Sequence, residues 1–164
     1  ALAAAYALGR AGCFMVGGDY GRPTDSFLGV QFPEGLPPST AGTMEAMFGI
    51  PVPPGVDPAT VLSVHPTQLY EVVAMLGVFM LLWSWRTRPL GTGWLFGAYL
   101  VFAGAERFLI EFLRAKDDRF LGAFTIAQLT SVLLVVAGVV VVLRLKDAGR
   151  AEPGEWLGGK ASKR

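Results

Sequence analysis

Long apolar runs alternate with short polar segments along this 164-residue chain. Three runs approach twenty residues, at positions 66–85, 94–113 and 125–143. An α-helix rises about 1.5 Å per residue, so about 20 apolar residues cross a hydrocarbon core of about 30 Å. The pattern therefore predicts three complete membrane-spanning helices.

Residues 1–18 form a shorter apolar segment that is rich in alanine and glycine. It is too short for a complete span, so we interpret it as the end of a fourth helix that begins upstream. At helical spacing Tyr6, Arg10, Cys13 and Gly17 share one face, which indicates a polar face directed into the protein. The glycines that follow predict a helix C-cap.

The segment 19–64 differs from the apolar runs because it holds eight of the eleven prolines. Proline interrupts both helices and central strands, so the segment is predicted to be a loop exposed to water. One short strand is expected at positions 27–32, with turns elsewhere. The charges of the loop are mostly acidic.

Composition agrees with a membrane protein, since 52% of the residues are hydrophobic, 16% are charged and the mean hydropathy is +0.47. The predicted fold class is all-α: a polytopic transmembrane helix bundle with a Pro/Gly-rich extracytoplasmic loop. Nothing in the near-neutral charge favours nucleic acid as a partner. The single cysteine excludes an internal disulfide.

Charge distribution predicts the orientation of the bundle. A basic turn at positions 86–88 and a basic tail at 146–164 lie on one side, which the positive-inside rule makes cytoplasmic. The acidic loop then lies outside. The predicted segments are a helix end (1–18), the extracytoplasmic loop (19–64), three transmembrane helices (65–145) and a cytoplasmic tail (146–164).

This topology brings the polar residues of the apolar runs to the outer side. Arg107, Glu111 and Arg114 follow at i, i+4 and i+7, so they share one helix face. Arg114 is predicted to extend its charge to the membrane surface. The depth of Arg107 favours a functional role over the alternative, a purely structural ion pair with Glu111. Arg10 is a second deep arginine.

Two interpretations of Arg10 remain open. Two arginines at the same depth would form a clamp for the phosphate of a lipid head group, because the guanidinium presents a fixed fork of donors. Alternatively, Arg10 forms a buried ion pair with Glu71 or Glu111.

His65 is the one histidine of the chain and begins the motif HPTQLYE. It suits a general base or a hydrogen-bonding residue at the start of a helix, and both interpretations stay open. One histidine at no recognisable ligand spacing predicts that the protein uses no metal and no cofactor. Cys13 is more typical of a small buried residue than of a nucleophile.

Four motifs together resemble one family, the bacterial phosphatidylglycerol–prolipoprotein diacylglyceryl transferases. They are GRAGCFMVGGDYGRPTD at 9–25, HPTQLYE at 65–71, RFLIEFLR at 107–114 and LGAFTIAQLTS at 121–131. The motifs occur in the order of the family, and the resemblance extends from residue 1 to about 145.

The resemblance implies an enzyme of the bacterial cytoplasmic (inner) membrane with its active side facing outward. It would transfer a diacylglyceryl group from phosphatidylglycerol to the cysteine thiol in the lipobox of a prolipoprotein signal peptide, among membrane lipids and without a metal. Arg10 and Arg107 would hold the phosphate, Gly21 would shape the adjacent loop, and Glu111 would orient Arg107. The remaining residues expected at the substrate are Cys13, Asp19, His65, Gln68, Tyr70 and Glu71.

Some positions depart from the family pattern. Cys13 occupies the place of an asparagine, and Gly18 occupies an acidic position, with Asp19 only adjacent to it. The amino-terminal helices of the family, with a loop that bears a histidine, have no counterpart in these residues. A catalytically silent lipid-binding or scaffold paralogue, or a related transferase with another acceptor, therefore remains an alternative.

Overall fold

A computed structural model describes residues 1–88, 90–115, 119–121 and 124–145, and this part of the chain is mostly helical. The predicted tail lies outside the described residues. The described elements are five helices and four short strands: α1 (Leu2–Val16), β1 (Val30–Gln31), α2 (Ala41–Phe48), β2 (Ser63–Val64), α3 (Thr67–Trp85), α4 (Trp94–Ile110), β3 (Arg119–Leu121), β4 (Phe124–Thr125) and α5 (Ile126–Leu145).

Two helices are long and apolar enough to cross a membrane, α3 with 19 residues and α5 with 20. α1 is apolar but has only 15 residues. α4 has 17 residues and ends at Ile110, three positions before the predicted end. The chain continues from there in turns, because Leu113 donates its backbone N–H to the carbonyl of Ile110 at 2.9 Å.

Local sequence signals set two of the helix ends. Gly17 closes α1 in the left-handed conformation with φ of 68°, which confirms the predicted C-cap. At the start of α5, the side chain of Thr125 accepts from the backbone of Gln128, and Gln128 accepts in return from Thr125, both at 3.1 Å. This reciprocal capping box satisfies two backbone donors at the helix start.

Glycines let α4 and α5 pack closely against each other. A Cβ atom on Gly104 would lie only 2.7 Å from the carbonyl oxygen of Ser131. A Cβ atom on Gly138 would lie equally close, at 2.7 Å, to the carbonyl oxygen of Gly97. Such backbone contact is the usual packing of small residues between membrane helices.

The proline-rich loop has a small core of its own. Tyr20, Phe32, Met44 and Val64 are buried together, and Val30 of β1 pairs antiparallel with Val64 of β2. The observed strand covers only two of the six positions predicted for it. The beginning of the loop contacts the chain just before α3, because the backbone N–H of Gly21 donates to the carbonyl of His65 at 2.8 Å.

The prediction of turns throughout the rest of the loop is wrong, because α2 forms within it. The eight residues of α2 contain no proline, and prolines lie on both sides at positions 38 and 51. The side chain of Thr40 accepts a hydrogen bond from the backbone of Thr43 and so caps this helix. A proline-free interval of this length is enough for two helical turns.

Candidate active site

A cavity of about 420 Å³ opens between α1, α4 and α5. Arg10 and Arg107, the two arginines singled out from the sequence, both line it. The other lining residues are small, apolar or hydroxyl-bearing, together with two tyrosines: Tyr6, Tyr99, Ala103, Ala127, Thr130, Ser131 and Leu134. Guanidinium donors beside apolar walls suit an anionic group that carries a hydrocarbon chain.

Arg10 is held by two carboxylates. Its Nε atom forms an ion pair with Glu71, whose side chain is 1% exposed, and its Nη1 atom lies 3.1 Å from Oδ2 of Asp19. Of the two ion-pair partners considered from the sequence, Glu71 is therefore the one found. Because Arg10 also lines the cavity, the ion pair and a contact with a ligand are compatible.

Tyr6 belongs to the same group, although sequence analysis assigned it no role beyond the polar face of α1. Its hydroxyl donates a hydrogen bond of 2.7 Å to Oε2 of Glu71, and the guanidinium carbon of Arg10 lies 5.6 Å from the centre of its ring. Glu71 is thus a buried carboxylate bound by both a hydroxyl and a guanidinium group. These contacts fix the direction in which Arg10 faces the cavity.

Arg107 forms an ion pair with Glu111, one helical turn further along, although the contact lacks hydrogen-bond geometry. Its Nη2 atom lies 3.2 Å from Oε2 of Glu111, as expected for an i, i+4 pair. Its Nη1 atom is buried and has no hydrogen-bond acceptor among the described residues. A buried donor without a partner is costly, so it marks a place where an anion would bind favourably.

The prediction that Arg114 extends to the membrane surface is wrong. Its side chain is only 10% exposed, and Nη2 lies 2.6 Å from Oδ1 of Asp19. Its backbone carbonyl also accepts a hydrogen bond from Nε of Arg22 at 3.2 Å. The charge turns inward because the loop supplies a carboxylate there, and this contact fixes the loop to the end of α4.

The turn at Gly18 and Asp19 is held by the first residues of α3. The hydroxyl of Thr67 donates to the backbone carbonyl of Asp19 at 2.9 Å, and the amide of Gln68 donates to that of Gly18. Thr67 and Gln68 are fully buried. Asp19 adopts a positive φ of 59°, so these contacts stabilise a conformation that is uncommon for a side-chain-bearing residue.

Gly21 lies where three segments meet. Its N–H donates to the carbonyl of His65 at 2.8 Å, and the next N–H, that of Arg22, donates to Leu113 at 2.8 Å. A Cβ atom at position 21 would lie 2.5 Å from the carbonyl oxygen of Leu113 and 2.8 Å from the side chain of Thr67. Only glycine fits this close approach without displacing backbone.

The other residues expected at the substrate lie around this cavity rather than in its wall. Gln68 and Glu71 do not line the cavity but contact residues next to it: Gln68 donates to the carbonyl of Gly18, and Glu71 pairs with Arg10. Nδ1 of His65 lies 3.2 Å from the hydroxyl of Tyr70, and neither side chain lines the cavity.

Cys13 and Asp19 line a neighbouring cavity of about 460 Å³. Four of the predicted residues therefore line one of these two cavities, Arg10 and Arg107 the first and Cys13 and Asp19 the second, whereas the others line neither. In the described ranges, no group of three or more His, Cys, Asp and Glu side chains is arranged to hold a metal ion.

Sequence analysis missed Glu106, which precedes Arg107 on α4. Both of its carboxylate oxygens are buried, and neither has a hydrogen-bond partner among the described residues. A charged residue within an apolar run was the available signal, since such residues are costly inside a membrane. It was overlooked because it lies outside the stripe that starts at Arg107.

Residues 1–144 match the family model described as "Prolipoprotein diacylglyceryl transferase". A phosphatidylglycerol–prolipoprotein diacylglyceryl transferase of Chlorobaculum tepidum is 33% identical over 98% of this chain and 48% of its own length. A protein of the same name from Citrobacter koseri is 34% identical over 82% of this chain and 47% of its own length. The chain thus spans about half the length of the curated relatives it matches.

Proposed function

This chain belongs to the prolipoprotein diacylglyceryl transferase family, and on this premise we propose that it acts in lipoprotein maturation. In the proposed reaction, a diacylglyceryl group moves from phosphatidylglycerol to the lipobox cysteine thiol of a prolipoprotein. One observation carries the proposal: Arg10 of α1 and Arg107 of α4 line the same cavity.

The chemistry of this cavity matches the donor lipid. A phosphodiester carries one negative charge and accepts hydrogen bonds, and the buried Nη1 atom of Arg107 offers a donor that no described residue uses. Ala103, Ala127 and Leu134 provide apolar wall for the adjoining glyceryl and acyl groups. Head group and hydrocarbon would therefore meet matching surfaces within one cavity.

The same two arginines would assist the chemical step. When the acceptor thiol attacks the glyceryl carbon, the bond from that carbon to the phosphate oxygen breaks and negative charge grows on the departing glycerol phosphate. Guanidinium groups already fixed by Glu71 and Glu111 would stabilise this charge without reorganising. Removing one such group from a preorganised site typically costs about 100- to 1,000-fold in rate.

The remaining predicted residues receive supporting roles in this proposal. Asp19 and Glu71 hold Arg10, Glu111 holds Arg107, and Gly21 keeps the loop close to α4. Gln68 maintains the turn before Asp19. His65, Tyr70 and Cys13 would contact the acceptor peptide or the membrane lipids around it, from outside the wall of the arginine cavity.

We also propose the membrane arrangement that the charge pattern predicts. α3, α4 with its terminal turns and α5 would be three complete spans of the bacterial inner membrane, and α1 the end of a fourth. The basic turn at Arg86 and Arg88 would face the cytoplasm. The proline-rich loop and the arginine cavity would then face outward, where a prolipoprotein signal peptide presents its lipobox.

The test is a transfer assay with the full-length protein in detergent, using a lipobox peptide and phosphatidylglycerol labelled in its diacylglyceryl group. We expect labelled peptide with the wild type and a loss of about 100-fold or more with Arg107→Ala. Arg144→Ala, at the opposite end of α5, is the matched control and should retain activity. Normal activity of Arg107→Ala would remove the proposed clamp.

The same assay separates the alternatives. A wild-type protein that binds phosphatidylglycerol but transfers nothing would favour the silent paralogue that Cys13 and Gly18 leave open. Label recovered on another thiol or amine, and not on the lipobox peptide, would favour a different acceptor.

A further inference from the structure

A second cavity, of about 460 Å³, lies beside the arginine cavity, and the proposed function assigns no substrate to it. Three glycines line this second cavity, so we call it the glycine cavity. Its described lining residues are Gly9, Gly12, Cys13, Val16, Gly18, Asp19 and Leu36. The volume falls within the range of cavities that take a ligand of moderate size.

The two cavities meet at one ion pair. Arg10 lines the arginine cavity and Asp19 lines the glycine cavity. Nη1 of Arg10 lies 3.1 Å from Oδ2 of Asp19, so the pair separates the two spaces. A reaction between two substrates needs two neighbouring places to bind them, and the arginine cavity suits only the anionic one.

Adjacent faces of α1 line the two cavities. The four α1 residues of the glycine cavity follow one another at i, i+3, i+4 and i+7, starting at Gly9, so they share one helix face. Tyr6 and Arg10, which line the arginine cavity, occupy a face roughly a quarter turn away. A group bound at one face therefore lies beside a group bound at the other.

Gly9 and Gly12 leave the backbone of α1 open to the glycine cavity. A Cβ atom on either would meet no heavy atom within 4 Å among the described residues, whereas one on Gly104 or Gly138 would meet the facing helix. Glycine inside a helix is less stable than alanine, and the packing of the described helices gives no reason for these two. Another main chain could approach α1 closely here, because no side chain stands between them.

Asp19 gives the glycine cavity an acceptor of hydrogen bonds. It is the one charged residue among the described residues that line the cavity, and its side chain is 47% exposed. Each carboxylate oxygen contacts one arginine, Arg10 or Arg114, and can accept from a further donor. A peptide main chain offers N–H donors, whereas a phosphodiester offers none. This wall therefore suits a peptide rather than the phosphate of a lipid.

Val16 and Leu36 add apolar contact at the edge of the glycine cavity. Val16 ends α1, Leu36 belongs to the proline-rich loop, and both side chains are more than half exposed. The loop approaches α1 closely there, because a Cβ atom on Gly18 would lie 3.1 Å from the carbonyl oxygen of Leu36. Apolar edges beside an acceptor suit an apolar peptide segment.

We propose that the glycine cavity binds the lipobox segment of the acceptor peptide, with its main chain against Gly9 and Gly12 and a main-chain N–H donated to Asp19. The donor lipid occupies the arginine cavity, so the two substrates meet across the contact of Arg10 with Asp19. This inference rests on the proposed function, because the acceptor is that of the proposed reaction. Cys13 lies in the wall beside the bound peptide.

Kinetics of the full-length protein test the cavity through Gly12→Leu, which places a side chain in it. The KM for the lipobox peptide should rise about tenfold or more, as expected for overpacking, while the KM for phosphatidylglycerol stays within about twofold. Gly77→Leu is the matched control, because Gly77 of α3 is equally open and lines neither cavity. It should keep both KM values. Gly9→Leu repeats the test on the same face of α1 if Gly12→Leu lowers the melting temperature.

Cys13 reports directly whether the cavity is occupied. Its thiol is free and partly buried in the cavity wall, and mass spectrometry can follow its modification by an excess of maleimide. The probe is a lipobox peptide with serine in place of its cysteine, so that it neither reacts with maleimide nor accepts the lipid. At about ten times its Kd this peptide should slow the modification about tenfold. A peptide of scrambled sequence, or phosphatidylglycerol in detergent, should leave the rate unchanged.

Failure of this inference and failure of the proposed function look different. If phosphatidylglycerol protects Cys13 and the peptide does not, and Gly12→Leu raises the KM for phosphatidylglycerol, the cavity takes lipid and the inference is overturned. If maleimide never reaches Cys13, and both leucine variants only lower the melting temperature, another segment of the protein fills the cavity, which also overturns it. In both cases transfer by the wild type leaves the transferase function standing. If the wild type transfers nothing although the peptide protects Cys13, the proposed function fails and the peptide site remains.

Discussion

Asp19 and Arg114 are 95 residues apart in the chain, yet Oδ1 of Asp19 lies 2.6 Å from Nη2 of Arg114. The second oxygen of the same carboxylate reaches Arg10 at 3.1 Å. One side chain of the loop therefore connects α1 with the end of α4. The positions of the two helices depend on where the loop holds Asp19.

Asp19→Asn should lower stability, because two arginines lose a charged partner. Since the side chain of Asp19 is about half exposed, we expect a loss of about 1–2 kcal/mol rather than the larger cost of breaking a fully buried pair. Thermal unfolding in detergent measures it. Asp25→Asn, at an exposed position of the same loop, should have the same melting temperature as the wild type. An equal fall in melting temperature in both variants would contradict a stabilising contact of Asp19 with Arg10 and Arg114.

Gly104→Ala should separate α4 from α5. Its Cβ atom would lie 2.7 Å from the carbonyl oxygen of Ser131, so a helix must shift at a cost of about 1–3 kcal/mol. Gly77→Ala is a matched change within α3, where a Cβ atom meets nothing within 4 Å. It should be neutral or stabilise by up to about 1 kcal/mol, since alanine favours helix. Equal melting temperatures for the two variants would show that α4 and α5 are not so tightly packed.

Tyr20 makes the stability of the folded loop depend on pH in the alkaline range. Its hydroxyl donates to the carbonyls of Pro37 and Pro38, and burial raises its pKa from 10.0 to about 12. Because the pKa of Tyr20 is higher in the folded than in the unfolded protein, the protonated hydroxyl stabilises the fold fully at pH values below the unfolded-state pKa. This contribution is lost as pH rises from about 10 through 12.

The measurement compares the melting temperatures of wild type and Tyr20→Phe from neutral to alkaline pH. At neutral pH the variant should be less stable by about 1–2 kcal/mol, because the partly buried carbonyls of Pro37 and Pro38 lose the hydroxyl hydrogen they share. Above pH 10 the difference should shrink. A difference that stays constant at all pH values would show that the hydroxyl does not titrate as described.

Arg10→Lys tests geometry while charge is conserved. Lysine presents a compact ammonium group and cannot reproduce the fork by which Arg10 contacts Glu71 and Asp19 while facing the cavity. Transfer by the full-length protein should fall about 10- to 100-fold. Arg114→Lys should instead lower the melting temperature with little change in kcat, because Arg114 holds the loop. The opposite pattern would exchange the roles of these two arginines.

Much of the helical framework could be predicted from apolar runs, since α3 and α5 follow directly from hydrophobicity and length. The cap at Gly17 also has a local signal. α4 ended earlier than its apolar run because the chain turns after Ile110 to meet the loop at Gly21. α2 was missed because the number of prolines in the loop concealed the one interval without them.

Site residues were predictable by type but not by partner. Arg10 and Arg107 were recognisable because deep arginines are costly and therefore informative. The inward turn of Arg114 depends on Asp19 from a distant segment, which no local pattern shows. The charge of Glu106 could be read from the sequence, but that its carboxylate has no hydrogen-bond partner among the described residues becomes visible only when the surrounding helices are in place.

The contacts at Gly21 have a consequence for how the outer end of the bundle is built. Main-chain groups of the loop bind those before α3 and after α4, at His65 and Leu113, so peptide units reinforce the side-chain contacts of this junction. Peptide units are planar and stiff, and their hydrogen bonds do not change with protonation of nearby side chains. The framework around the arginines can therefore stay in register when the protonation of the side chains beside it changes.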